Sequence, residues 1–201
     1  MNRTGSLIAL ALLACAGAGV SWLVQDLSAP HIAAERKLIE SRTLLDVLAA
    51  DSYDNRPLEQ PLPLAAPELS HSTLTGAYRA TRGEQTVAVL LRSQATGYAG
   101  QIEWLIAIAP SGRLIGVKTL RQTETPALGG LIGDWPNVWL QTFTGKSLDA
   151  PDDAGWALKK DRGQFDQIAG ATVTSRAAVN AVHDALRYFD GHRAALLGSA
   201  E

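Results

Sequence analysis

Residues 6–24 contain no charged side chain, and no other stretch constrains the chain so strongly. About 20 apolar residues in a helix cross a hydrocarbon core, and there the backbone must satisfy its own polar groups, as a helix does. Trp22, near the far end, suits an interfacial aromatic belt. A cleaved signal peptide has a shorter apolar core and a small-residue cleavage site. Leu12-Leu13-Ala14-Cys15 partly matches a lipoprotein signal, but the apolar run continues for nine residues past Cys15. A retained transmembrane helix fits best. Charge does not settle its orientation, because Arg3 lies on one side and Arg36 and Lys37 lie beyond the other. Ala11, Cys15 and Gly19 recur every four positions, as do Ala14 and Ala18, a pattern that lets a second helix pack closely.

A chain of 201 residues accommodates one domain besides such an anchor. Its 46% apolar content supplies a core, and its net charge of −2 is nearly balanced. The basic residues are scattered rather than interleaved with aromatics, which argues against nucleic acid. A single cysteine, Cys15, rules out an internal disulfide and a chain-borne iron–sulfur cluster. His31, His71, His183 and His192 have no metal-ligand spacing, so no metal site is expected. No Gly-x-Gly-x-x-Gly follows a strand, which argues against a dinucleotide fold. No residue set suggests acid–base or nucleophilic work, so no catalytic residue is expected.

Beyond the anchor, residues 29–50 read as a helix with Ile32, Leu38, Ile39, Leu45 and Leu48 on one face. It suits a stalk. Residues 54–67 hold four prolines and read as an extended loop. Residues 76–82 and 86–92 alternate like strands around Gly83-Glu84-Gln85, and residues 101–109 and 113–120 do so around Pro110-Ser111-Gly112. Residues 131–143 predict a short helix or helix-turn, whose Trp135 and Trp139 suit a core or interface. Residues 174–190 predict the last long helix, with Val179, Val182, Leu186 and Phe189 on one face. Strands grouped ahead of helices predict an α+β domain with helices against an antiparallel sheet.

Just before that last helix stands Asp166-Gln167-Ile168-Ala169-Gly170-Ala171-Thr172. A helix start gathers free backbone N–H groups and the positive end of the helix dipole, which favours a phosphate. Gly170 and Ala171 let a bulky ester approach the backbone. The plainer reading is a cap, with Thr174 or Ser175 bonding the first turn.

This segment resembles the flavinylation motif of the FMN-binding domain family, Asp-x-x-(Ser/Thr)-Gly-Ala-(Thr/Ser). Ala169 departs from it. Tyr98-Ala99-Gly100 and Glu124-Thr125-Pro126-Ala127-Leu128-Gly129 are similar to Gly-Tyr-x-Gly and Glu-Thr-Pro-Gly-Leu-Gly segments in G subunits of Rnf electron-transport complexes, with Ala127 in place of a glycine. The resemblance implies FMN esterified through its phosphate to Thr172 and contacted by Gly170, Ala171, Glu124, Thr125, Leu128 and Gly129. It implies that a flavin transferase reads Asp166 during maturation. Read without it, Glu124 is only a solvated residue in a turn, and Asp166 only a turn residue.

The implied organisation is a cytoplasmic N-terminus (1–5), a transmembrane helix (6–24), a stalk helix and Pro-rich loop (25–70), a periplasmic FMN-binding domain (71–190) and a C-terminal tail (191–201). The implied function is a membrane-anchored flavoprotein, single-pass in the bacterial inner membrane, that works as one of several subunits. It relays electrons in a complex that couples transfer of the ferredoxin/NAD type to ion translocation, with no independent active site. Similar complexes in some bacteria keep a redox-sensing transcription factor reduced. The alternatives are the C subunit of a sodium-pumping NADH:quinone reductase, which uses the same attachment, and a flavin-free membrane-anchored scaffold.

Overall fold

The two turn signals do bracket two hairpins. The computed structural model describes residues 43–198 together with Gly17 and Trp22. Strands β1 (Thr73–Arg82), β2 (Gln85–Thr96), β3 (Gln101–Ile108) and β4 (Leu114–Arg121) form one four-stranded antiparallel sheet in the order β1-β2-β3-β4. The first hairpin turns through Gly83 at φ 59° and the second through Gly112 at φ 86°, conformations that glycine adopts without a Cβ clash. The first pair is longer than alternation alone suggests, with Thr73 facing Gln94 across β1 and β2.

Period-two patterning divides the sheet into two buried faces. Val89, Leu91, Ile102, Trp104, Ile106 and Ile108 point to one side, and Ala88, Leu90, Leu105 and Ala107 to the other. The first side is covered by the long helix, with Ala178, Val179, Val182, Ala185, Leu186 and Phe189 buried against it. Each large apolar side chain buried in this layer contributes roughly 1.5–3 kcal/mol. The second side is closed by Leu45, Val47, Leu48, Tyr53 and Leu58.

The Pro-rich segment then runs beside the outer edge of β1. Asn55 receives the Thr81 N–H and donates to the Arg79 carbonyl, and Leu62 N–H donates to the Ala77 carbonyl. Proline-rich chain suits such an edge, where few ladder donors are needed.

The segment read as one helix or helix-turn, 131–143, is a 3-10 turn (Gly129–Gly133) followed by the short helix α1 (Val138–Gln141). Pro136 separates them, since its ring and missing N–H break a continuous helix. Asn137 starts α1 by accepting from Leu140 N–H while donating to the Leu131 carbonyl. Of the two tryptophans, Trp139 packs edge-on to Phe143 and donates to the Asp166 carbonyl. Trp135 stays partly exposed beneath Lys118.

The long helix α2 (Thr172–Gly191) begins two residues earlier than its apolar face suggests. The C-terminal stretch expected as a tail includes α3 (Arg193–Leu197), whose Leu196 is buried and whose carbonyls at Ala195 and Leu196 are held by Arg79. Among the described residues no helix is long and apolar enough to cross a membrane. The expected span 6–24 lies outside the described residues apart from Gly17 and Trp22, which are helical, and so does the expected stalk helix up to residue 42; of its remainder only 43–45 are helical, and 46–50 form turns instead.

Candidate functional site

Three loops meet above the start of α2 and enclose a cleft of about 450 Å³, lined by residues from 98 to 174. That size falls within the roughly 300–1,000 Å³ of small-molecule sites. All seven residues expected to contact a flavin line it: Glu124, Thr125, Leu128, Gly129, Gly170, Ala171 and Thr172. The fold thus unites segments more than forty residues apart in the chain. Asp166 is outside the lining. Its carboxylate lies at the surface, 2.7 Å from Lys159 Nζ.

The wall from residues 124–130 is held from within. Glu124 is only 5% exposed, so it is not the solvated turn residue of the plainer reading. Its Oε1 accepts from Ala99 N–H at 2.9 Å, and its Oε2 accepts from Tyr98 N–H at 3.2 Å and from the Thr174 hydroxyl. A carboxylate taken from water requires such partners. Two glycines leave it room. A Cβ on Gly97 would lie 2.5 Å from Glu124 Oε1, and one on Gly129 would lie 2.9 Å from Oε2.

Ala127 sits at φ 60°, a left-handed conformation that costs an L-residue roughly 1 kcal/mol. This explains why a glycine suits the position. Gly130 N–H and Leu128 N–H both donate to the Thr125 carbonyl, which closes the turn.

The opposite wall leads into α2. Gly170 adopts φ 72°, and a Cβ there would meet Leu128 Cδ2 at 2.9 Å across the cleft. Ala171 is the residue before the helix, and no side chain caps the first turn. The expectation that Thr174 or Ser175 caps it therefore fails. The Thr174 hydroxyl turns inward to Glu124. Ser175 Oγ donates back to the Ala171 carbonyl while accepting from Ile168 N–H. Thr172 Oγ1 stands at the rim and donates to Gln167 Oε1 at 3.0 Å.

Tyr98, Gln167, Val173 and Thr174 complete the lining, although sequence reasoning did not name them as contacts. Thr174 carried a readable signal: a hydroxyl four residues before Ala178 on the buried face of α2 needs a buried partner. Tyr98 is 75% exposed, and Leu128 and Val173 are also open to solvent at the mouth. Exposed apolar side chains rimming one cleft suit a flat apolar ring.

Behind this wall Phe143, Trp156 and Phe165 pack together, and His183 of α2 stacks on Trp156 at 5.2 Å. Burial is the main reason the His183 imidazole titrates below its ordinary range, and the Arg187 charge adds to it. Among the described residues no cluster of His, Cys, Asp or Glu could hold a metal ion.

Residues 97–187 match the FMN-binding domain family. A relative from Pseudomonas aeruginosa (strain UCBPP-PA14), the G subunit of an ion-translocating oxidoreductase complex, is 46% identical over 194 residues, covering 96% of this chain and 91% of the relative. The chain belongs to the family of G subunits of ion-translocating oxidoreductase complexes. A further G subunit, from Cereibacter sphaeroides (strain ATCC 17029 / ATH 2.4.9), is 39% identical, covering 87% of this chain and 78% of the relative. The crystal structure of the C subunit of Na(+)-translocating NADH-quinone reductase from Parabacteroides distasonis gives a TM-score of 0.46 at 21% identity, covering 63% of each chain. That likeness is too low to bear on function.

Membership in this G-subunit family makes the chain an FMN-binding part of a membrane electron-transport complex. The cleft fits the cofactor. It has a small-molecule volume, an apolar mouth, and a helix start whose first turn no side chain caps.

Proposed function

We propose that this chain carries FMN as a phosphate ester on Thr172 and serves as a fixed electron relay. The observation that carries the reading is Thr172 itself. Its hydroxyl stands at the cleft rim on the first residue of α2, after Gly170 and Ala171 and without a competing side-chain cap. Thr172, Val173 and Thr174 head the helix, where backbone N–H groups and the dipole stabilise a phosphate charge by roughly 0.3–1 kcal/mol. Gly170 and Ala171 admit the ester to the backbone. Glu124, Thr125, Leu128 and Gly129 form the facing wall for the ring. Asp166, exposed beside Lys159, is available to a flavin transferase during maturation.

FMN supplies electron-carrying chemistry when bound. An esterified cofactor does not dissociate, which suits a relay between fixed partners. Residues 6–24 anchor the chain in the bacterial inner membrane as a single pass, with the flavin domain on the periplasmic side. The partners are the other subunits of an ion-translocating complex that transfers electrons of the ferredoxin/NAD type.

The test is flavin fluorescence on a denaturing gel. The wild-type band should fluoresce, Thr172→Val should be dark, and Thr174→Val should remain bright. A bright Thr172→Val with a dark Thr174→Val would move the attachment two residues on. A dark wild type from its native membrane would favour the flavin-free scaffold. Carbonate extraction that releases the chain would overturn the anchor.

A further inference from the structure

We infer that the buried carboxylate of Glu124 is an electrostatic positioning group that holds the reduction potential of the cleft's flavin down. This rests on the reading that FMN occupies the cleft. Among the described residues Glu124 is the one acidic side chain in the cleft lining, and that lining contains no lysine, arginine or histidine to offset it. The carboxylate is 5% exposed, so solvent screens it weakly and its field reaches into the cleft.

Its position is fixed. Both oxygens act as acceptors, Oε1 from Ala99 N–H and Oε2 from Tyr98 N–H and the Thr174 hydroxyl. Three donors and no bond given away are what an ionised carboxylate requires. Gly97 and Gly129 crowd it closely enough that a Cβ on either would displace it. Such a group is preorganised rather than mobile. Adding electrons to a ring in the same cleft places negative charge near a fixed negative charge, which is unfavourable and lowers the potential.

The donors modulate the effect. Each hydrogen bond draws charge toward itself and damps the field of the carboxylate. The Thr174 hydroxyl is the donor among the three that a substitution removes without altering the backbone. Removing the charge and removing its damping must therefore shift the potential in opposite directions. A purely structural latch predicts no such opposition, because both substitutions would loosen the same junction.

The experiment is spectroelectrochemical titration of the full-length flavinylated chain in detergent, comparing wild type, Glu124→Gln and Thr174→Val. Glu124→Gln should raise the midpoint potential and Thr174→Val should lower it. Shifts of the same sign, or a Glu124→Gln potential equal to wild type, would overturn the inference. If Glu124→Gln does not fold or load, Thr174→Val decides alone: a lowered potential supports the inference, and an unchanged or raised one overturns it. A wild-type chain without covalent flavin would instead strike at the functional reading.

Discussion

On one wall of the cleft Glu124 is buried and accepts three hydrogen bonds, while just outside the other Asp166 lies at the surface paired with Lys159. The Glu124 wall is tied to β2–β3 through residues 98–99 and to α2 through Thr174. The wall of residues 166–172 is instead a loop resting on aromatic side chains, with Trp139 bonded to the Asp166 carbonyl and Phe165 packed on Trp156. Buried, charge-assisted bonds fix geometry, whereas exposed ion pairs contribute little and leave a segment accessible. One wall is therefore rigidly held. The other is open to solvent at Asp166 and Lys159.

Substitutions at the two acidic residues should separate these roles. Glu124→Ala leaves two backbone N–H groups and a hydroxyl without their acceptor, and should cost roughly 3 kcal/mol, read as a lowered midpoint in urea unfolding. A loss no larger than that of Asp166→Asn would remove the distinction between the walls.

Acid should act on the opposite wall first. Burial depresses the His183 pKa in the fold, with Arg187 adding to the effect and Asp153 and Asp184 opposing it; the His71 charge lowers it slightly further. The folded state thus binds fewer protons than the unfolded chain. The His183 contribution is fully present above the unfolded value near 6.5, and is lost as pH falls from there through the depressed folded value. Amide exchange around residues 153–166 should rise in that window before exchange around residues 98–130 does. His183→Gln should flatten the dependence; an unchanged acid limb in that variant would dissociate His183 from it.

A smaller effect is expected at the turn of the latched wall. Ala127→Gly relieves a left-handed alanine, partly offset by the greater freedom of glycine in the unfolded chain. The net is a gain of about 0.5 kcal/mol, seen as a slightly higher Tm. A lowered Tm would mean that the turn is not strained. The least effect on stability belongs to Asp166→Asn, which should unfold like wild type while losing flavin incorporation by a transferase. Normal incorporation would leave Asp166 as a turn residue.

Much of this was legible beforehand. Ile102, Leu105, Ile106 and Ile108 with Leu114, Ile115 and Val117 mark a buried antiparallel pair, and the spacing of Val179, Val182, Leu186 and Phe189 marks the face of α2. The motif segments named seven residues that the fold gathers into one cleft. The burial of Glu124 was not legible, because two of its partners are main-chain groups at residues 98 and 99, and a sequence does not display main-chain donors. Trp156 and Phe165 were equally hidden. They lie in a stretch of 3-10 turns with no helical or strand period, so no regular pattern announces that they pack. Leu45 and Leu48 do pack on the domain as their apolar face suggests, but through turns rather than a continued helix, which a 3.6-residue spacing does not reveal.

The second sheet face also limits how the molecule can be divided. The stretch that matches the FMN-binding domain family, 97–187, opens in the turn between β2 and β3. A polypeptide cut to those limits keeps β3, β4, the Glu124 loop and most of α2. It loses β1, β2 and the residues that seal the far side. A two-stranded remnant is marginal in water, and the edge of β3 that Leu91 and Arg92 now pair at Ile106 and Leu105 would stand open. The stretch that the domain family matches is thus smaller than the unit that folds. Deleting residues 44–96 should therefore unfold the remainder, because Leu45, Val47, Leu48 and β2 close the second face of the sheet.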